Sequence, residues 1–210
     1  MSKKPSPLAG RAIIMIISHR HQFIYVKPRK TAGSSVQCAL AEITGPEDII
    51  IRIKDPQNAD KFNFVDGHIS LSEAFKIVPE CRHYFVIATE RNPWDKMISW
   101  FFFDNGSSFP QWLGKVGNTE LYWDRPNYII QYHRLKEDWL KLGMCLKINL
   151  PSLGNIRHTR HIKRIGSQYR PKKSYTYYYN DETKEIVRKR FAKEIEMYGY
   201  SFGGQDIYST

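Results

Sequence analysis

The sequence has little cysteine, no long apolar run, no internal repeat and fewer acids than bases, and each shortage removes a class of protein. Three cysteines in 210 residues (Cys38, Cys81 and Cys145) are odd in number and scattered. They supply neither a disulfide framework nor a metal-ligand cluster, which points to a reducing compartment. The apolar run in the N-terminal stretch, within "RAIIMII", is about six residues long, too short for a signal-peptide core or a membrane span. A strand behind a short basic leader is expected there, and a cytosolic chain. Low-complexity linkers are absent as well. The 21 acids against 32 Lys and Arg leave a net charge of +11 and a pI of about 9.5. A polyanionic partner is expected: nucleic acid, a phosphorylated cofactor or an acidic polysaccharide. Charge does not choose among them.

What is present is enough for a core. A hydrophobic fraction of 41%, with 14% aromatic, excludes a disordered chain. The length suits one α/β domain over residues 1–210, with its core in about 12–202. "RAIIMII" and "QFIYV" read as short buried strands, and "DIIIRI" as another. Val36, Ala39, Leu40 and Ile43 fall at helical spacing before Gly45-Pro46 ends the segment. "HYFVIAT" is continuous and apolar, as in a parallel sheet. After it, Asn92 is a natural N-cap, Pro93 suits the first helical position, and Asp95 falls in the positive first turn. Trp94, Met97, Ile98, Phe101 and Phe102 then make one apolar face. Residues 104–126 read as an irregular surface excursion, "NYIIQYHRLKEDWLKLG" as a helix closed by Gly143, and "MCLKINLPSLGN" as a short strand and loop. "NDETKEIVRKRFAKEIEMYG" reads as one helix ending at Gly199. This alternation predicts a mostly parallel sheet flanked by helices.

Twice, then, a strand runs through a short basic turn into a helix. In the first turn Lys30, Thr31, Ala32, Gly33, Ser34 and Ser35 stand where unpaired backbone N–H groups and a helix dipole favour an anion. Gly33 permits close approach, the serines add hydroxyl donors and Lys30 a point charge. The second turn offers Arg91 and, eight residues on, Ser99, a pair suited to clamping a second phosphate. The order GxxxxGK[ST] of a nucleotide triphosphatase loop is missing.

Taken together the two turns resemble those of sulfotransferases that use 3′-phosphoadenosine 5′-phosphosulfate (PAPS). "KTAGSSV" is similar to that family's 5′-phosphosulfate loop. "VIATERNPWDKMISWFFF" is similar to its 3′-phosphate segment, and "YYYNDETKEIVRKRFAKEIEMYGYSF" to the C-terminal helix and Gly-Tyr-x-Phe ending of carbohydrate-type members. The resemblance covers most of residues 22–202. It implies a P-loop-NTPase-like fold and a sulfuryl transfer from PAPS to a hydroxyl, with adenosine 3′,5′-bisphosphate (PAP) as product and no metal. By the same resemblance, Lys30, Thr31, Ala32, Gly33, Ser34 and Ser35 hold the 5′-phosphosulfate, and Lys30 also stabilises the leaving group. Arg91 and Ser99 hold the 3′-phosphate. "FVDGHISLSEAF" resembles a Gly-His-[Val/Ile]-Ser segment of the glycosaminoglycan 2-O-sulfotransferases, which implies His68 as the catalytic base and a carbohydrate acceptor. The other reading of His68 is a structural histidine partnered with Ser70. Glu73, Glu90 and His83 are reserves for the base.

Two departures stand out. Glu90 precedes Arg91 where a neutral residue is commoner, and it can pair with Arg91 or with Lys96. His133 replaces an acid in "QYHRLKEDW". The run 157–173 holds seven Lys and Arg and no acid; it is a solvated loop, a flap over the 3′-phosphate or a contact for an anionic acceptor, with Arg170 and Lys172 as the candidate residues. "YTYYY" suits either stacking on adenine or sugar or core packing. Trp112, Tyr122 and Trp123 are candidates for an acceptor cleft. The competing functions are a P-loop-type kinase and a basic nucleic-acid-binding protein. The sulfotransferase reading expects no nucleic-acid partner. With no signal or anchor in view it expects a cytoplasmic enzyme of bacterial or viral type, although family members often act at membranes.

Overall fold

The computed structural model describes residues 13–31, 33–52, 70–104, 108–116, 126–153, 171 and 173–205. Their elements run in the order β1 (Ile13–Ser18), β2 (Phe23–Val26), α1 (Gly33–Ala41), β3 (Ile49–Arg52), α2 (Leu71–Ile77), β4 (Phe85–Glu90), α3 (Pro93–Asp104), α4 (Phe109–Lys115), β5 (Tyr128–Gln131), α5 (Leu135–Leu146), α6 (Asp181–Arg190) and α7 (Ala192–Tyr198). Single 3₁₀ turns occupy Pro79–His83, Tyr132–Arg134 and Tyr175–Tyr178. The architecture is α/β, with a five-stranded sheet flanked by helices and ordered β3-β1-β2-β4-β5.

The sheet is mixed. β2, β4 and β5 pair in parallel, but β1 is antiparallel to both β2 and β3. The expectation of a mostly parallel sheet overlooked the four residues 19–22 between β1 and β2. So short a link makes a hairpin, because a parallel pairing needs a crossover of a dozen residues or more.

Side chains alternate across the strands as the pleat requires. Met15, Ile17, Ile24, Val26 and Val86 face α2. Ile16, Phe23, Tyr25 and Ile87 face α1 and α5, meeting Val36, Leu40, Trp139 and Leu142. A third cluster forms around α3, where Trp94, Met97, Ile98, Phe101 and Phe102 meet Phe109, Tyr175, Val187 and Phe191. Fully burying one such side chain is worth about 1.5–3 kcal/mol, so the apolar face read for α3 anchors the second half of the chain.

Several elements differ from the sequence reading. Helix α1 ends at Ala41, and Ile43 packs on the core from the turn beyond. A helix, α4, interrupts the supposed excursion 104–126. "NYIIQYHRLKEDWLKLG" divides into β5, a 3₁₀ turn and α5, because a strand partner beside β4 outweighs helical spacing in "NYIIQ". Gly143 lies inside α5, which closes at Lys147 with φ 55°, and the strand expected in "MCLKINL" is absent among the described residues. The C-terminal helix breaks at Phe191 into α6 and α7. Phe191 is fully buried, and seating that ring in the core turns the chain. Gly199, at φ 64°, does close α7, a left-handed conformation glycine adopts without steric cost. No described helix is long and apolar enough to cross a membrane.

Candidate functional site

The candidate site lies at the carboxyl ends of β2 and β4, which are parallel neighbours with Val26 opposite Ala88. After β2 the chain leaves through α1 for β3 on one side of the sheet. After β4 it leaves through α3 for β5 on the other. Open α/β sheets bind ligands at such a divergence.

The two turns are fastened to each other. The hydroxyls of Thr31 and Thr89 lie 2.7 Å apart, and Thr31 also donates to the Pro28 carbonyl. Tyr25, fully buried, donates its phenol to the Gly33 carbonyl at 3.0 Å. Burial raises that phenol's pKa, so it stays a neutral donor. Gly33 is required by this packing. A Cβ there would stand 2.6 Å from the Tyr25 hydroxyl, 2.7 Å from Lys27 Cγ and 3.1 Å from Thr89 Oγ1. The close approach expected for a ligand is used in part by the protein itself.

Cations surround this fastening. Lys30 takes a left-handed backbone, φ 60°, which costs a non-glycine residue on the order of 1 kcal/mol or more. Its ammonium sits 4.3 Å from the Phe103 ring centroid. Burial, then the Arg91 guanidinium, pushes its pKa down to about 8, with Asp104 opposing and Lys27 adding to the shift. Lys27, half-buried, donates to Ser34 Oγ at 3.2 Å, and burial brings its pKa to about 8 as well. Helix α1 has no acid in its first turn, so its own sequence supplies no carboxylate to offset the positive end of its dipole.

The second turn is internally paired. Arg91 Nε donates to Asp95 Oδ2, and both side chains are buried. Arg91 Nη1 reaches the Lys30 carbonyl at 3.4 Å, and its guanidinium lies 4.2 Å from the Tyr132 ring centroid. Glu90 Oε1 accepts from Lys96 Nζ and from the Arg91 backbone N–H, each at 2.8 Å. That resolves the open pairing of Glu90, which takes Lys96's side chain but only Arg91's backbone. Asn92 Oδ1 accepts from the Trp94 N–H, capping α3, and its amide donates to the Ser201 and Gly204 carbonyls at 2.9 Å each.

Of the residues singled out in the sequence, Lys30, Thr31, Gly33, Ser34 and Arg91 come together. Ser35 is half-buried on α1, and Ser99 is half-buried on α3 with no side-chain hydrogen bond to either turn among the described residues. Ala32, His68, Tyr122, Trp123, Arg170 and Lys172 lie outside the described residues. Ser70 caps α2, accepting from the Glu73 N–H, and Glu73 pairs with Lys76. His83 packs edge-on against Tyr84. Trp112 stacks with Phe109 and meets Trp100 and Phe101, so it belongs to the third core cluster. In "YTYYY", Tyr175 is fully buried while Tyr177 is exposed. Sequence reasoning missed Lys27, Thr89 and Tyr132. Each stands at or next to the end of a parallel strand, a position that signals a site once the pairing is known. Comparison with protein-family models, curated proteins and solved structures gives no match for this chain.

Proposed function

We propose that the chain is a sulfotransferase that moves a sulfuryl group from PAPS to a hydroxyl acceptor, a carbohydrate by preference. One observation carries the reading: Lys27, Lys30 and Arg91 gather from two adjacent parallel strand ends onto one turn, and Lys30 has no carboxylate pair among the described residues. Such a donor set of cations and hydroxyls fits a phosphosulfate and a phosphate ester. The parallel triplet β2-β4-β5 is read as the core of a P-loop-like sulfotransferase fold in a single cytoplasmic domain.

In this reading Lys30, Thr31, Ser34 and Ser35 orient the 5′ end, and Arg91 and Ser99 orient the 3′-phosphate. Lys30 offsets charge on the bridging oxygen as its bond to sulfur breaks, an electrostatic contribution of the kind that dominates such transfers. The acceptor oxygen forms the new bond to sulfur, and its proton passes to His68, a role that rests on the resemblance of "GHIS" alone. The products are a sulfate ester and PAP.

The test is calorimetry with PAP beside a duplex oligonucleotide at moderate salt. PAP should bind, and Lys30→Ala and Arg91→Ala should each abolish or badly weaken that binding. Binding of the duplex alone would replace the proposal with a nucleic-acid function. His68→Ala should still bind PAP but lose transfer to a true acceptor, found by screening hydroxyl compounds with sulfur-labelled PAPS.

A further inference from the structure

Lys27 has no role in the resemblance, and the reading above counts it only as one of three gathered cations, yet both its stem and its tip are tied into the turn. Pro28 follows it and restricts its backbone to extended conformations. Its stem fills the space behind Gly33, with Cγ only 2.7 Å from where a Cβ would be. At the tip, Nζ lies 3.2 Å from Ser34 Oγ. An ammonium has hydrogens to give and no lone pair to receive one. The Ser34 oxygen must therefore accept, and its own hydrogen is left to point elsewhere as a donor.

We infer that Lys27 is a positioning residue of the anion site, fixing the Ser34 hydroxyl as a donor toward the bound phosphate or phosphosulfate and adding a positive charge beside Lys30 and Arg91. The inference rests on the anion-site reading proposed above, and it gives a specific function to a lysine that reading counts only as charge. Without Lys27 the hydroxyl is free to rotate and to present lone pairs to an anion, which repels. With Lys27 in place one hydrogen bond serves two ends: it holds the ammonium and orients the donor before the ligand arrives. Preorganisation of this kind saves ordering cost on binding.

The experiment is calorimetric titration of the full chain with PAP and, separately, with inorganic pyrophosphate. The proteins are wild type, Lys27→Met, Lys27→Arg, Ser34→Ala and the double variant Lys27→Met/Ser34→Ala. Lys27→Met keeps the packed stem and should weaken both anions by about tenfold or more, the usual effect of losing a hydrogen bond to a charged group. Lys27→Arg retains a cationic donor and should recover most of the affinity. Because Lys27 acts through Ser34, the double variant should bind much as the weaker single variant does, not with the product of the two losses. Full affinity in Lys27→Met overturns the inference, and so do losses that simply multiply. Should Lys27→Met fail to fold, Ser34→Ala decides alone: it removes one oxygen, and unchanged anion affinity in it overturns the inference. PAP bound by wild type with no dependence on Lys27 leaves the sulfotransferase reading standing and removes this one. Pyrophosphate bound in a Lys27-dependent way without PAP does the reverse, and failure of both anions to bind removes both.

Discussion

The two strand–turn–helix units look alike in sequence and differ in how their charges are balanced. In the unit after β4, cations meet buried carboxylates: Arg91 with Asp95 and Lys96 with Glu90. Helix α3 carries Asp95 in its first turn, where the dipole favours it. In the unit after β2, helix α1 begins without an acid, and the ammonium of Lys30 rests on an aromatic ring. Burial depresses both lysines toward neutral pH. The lesson is a division of labour. One turn pairs its cations with buried carboxylates; in the other, Lys30 has no carboxylate pair among the described residues and only the longer-range pull of Asp104.

The largest effect should come from unbalancing the paired unit. Asp95→Ala leaves the Arg91 guanidinium buried without its carboxylate, and breaking a buried pair this way costs about 3–5 kcal/mol. Urea denaturation measures it, and a loss under about 1 kcal/mol would mean that α3 does not depend on the pair. Gly33→Ala comes next. It forces a methyl against the Tyr25 hydroxyl and Lys27, overpacking worth about 1–3 kcal/mol. The same denaturation curve reads it, and unchanged stability would show that the fastening of the two turns can yield.

The unit after β2 should answer to pH instead. Folded-state pKa values of about 8 for Lys27 and Lys30, against 10.5 ordinarily, mean that below about pH 8 both are charged in the folded and unfolded chain. The cost of burying that charge is then fully present. Above pH 8 the unfolded chain binds more protons, so the stability of the ligand-free protein rises with pH toward 10.5. Cys81, whose thiol burial pushes up to about 11, contributes the opposite slope above its ordinary value of 9.0, so the clean window is pH 7.5 to 9. Within it the urea midpoint should rise in wild type and rise less in Lys30→Met. Anion affinity should fall over the same window as the ammonium groups are lost. A flat midpoint, equal in both proteins, would erase the contrast between the turns.

Smallest of the four is Phe103→Leu. It removes the ring under Lys30, a cation–π contact worth about 0.5–1 kcal/mol at an accessible site, and should change PAP affinity by about fivefold at most. Phe103→Tyr should restore it. Equal affinity in all three proteins would make the ring incidental to Lys30.

Much of this was legible in the chain because it is written locally. The strand before Lys30, the Asn92 cap with Pro93, the apolar face from Trp94 to Phe102 and the glycine closing α7 all follow from neighbouring residues. So do the two turns as charged strand ends. Segments whose state depends on a distant partner were misread. "NYIIQ" becomes a strand because β4 lies beside it, and the last helix bends because Phe191 finds a place in the core. The pairing of Glu90 stayed open for the same reason, since Arg91 and Lys96 are both near in sequence and only packing selects.

By itself the sequence determined that two basic turns follow strands and open helices, because backbone stereochemistry and capping act over a few residues. Only the tertiary structure decided that those strands are parallel neighbours whose turns are held together by Thr31, Thr89 and Tyr25. It also decided that Arg91 keeps Asp95 and Lys96 keeps Glu90. Charge balance in a low-dielectric interior depends on distances of a few ångströms between residues some 60 positions apart in the chain, as Lys30 and Arg91 are, and no local pattern records such distances.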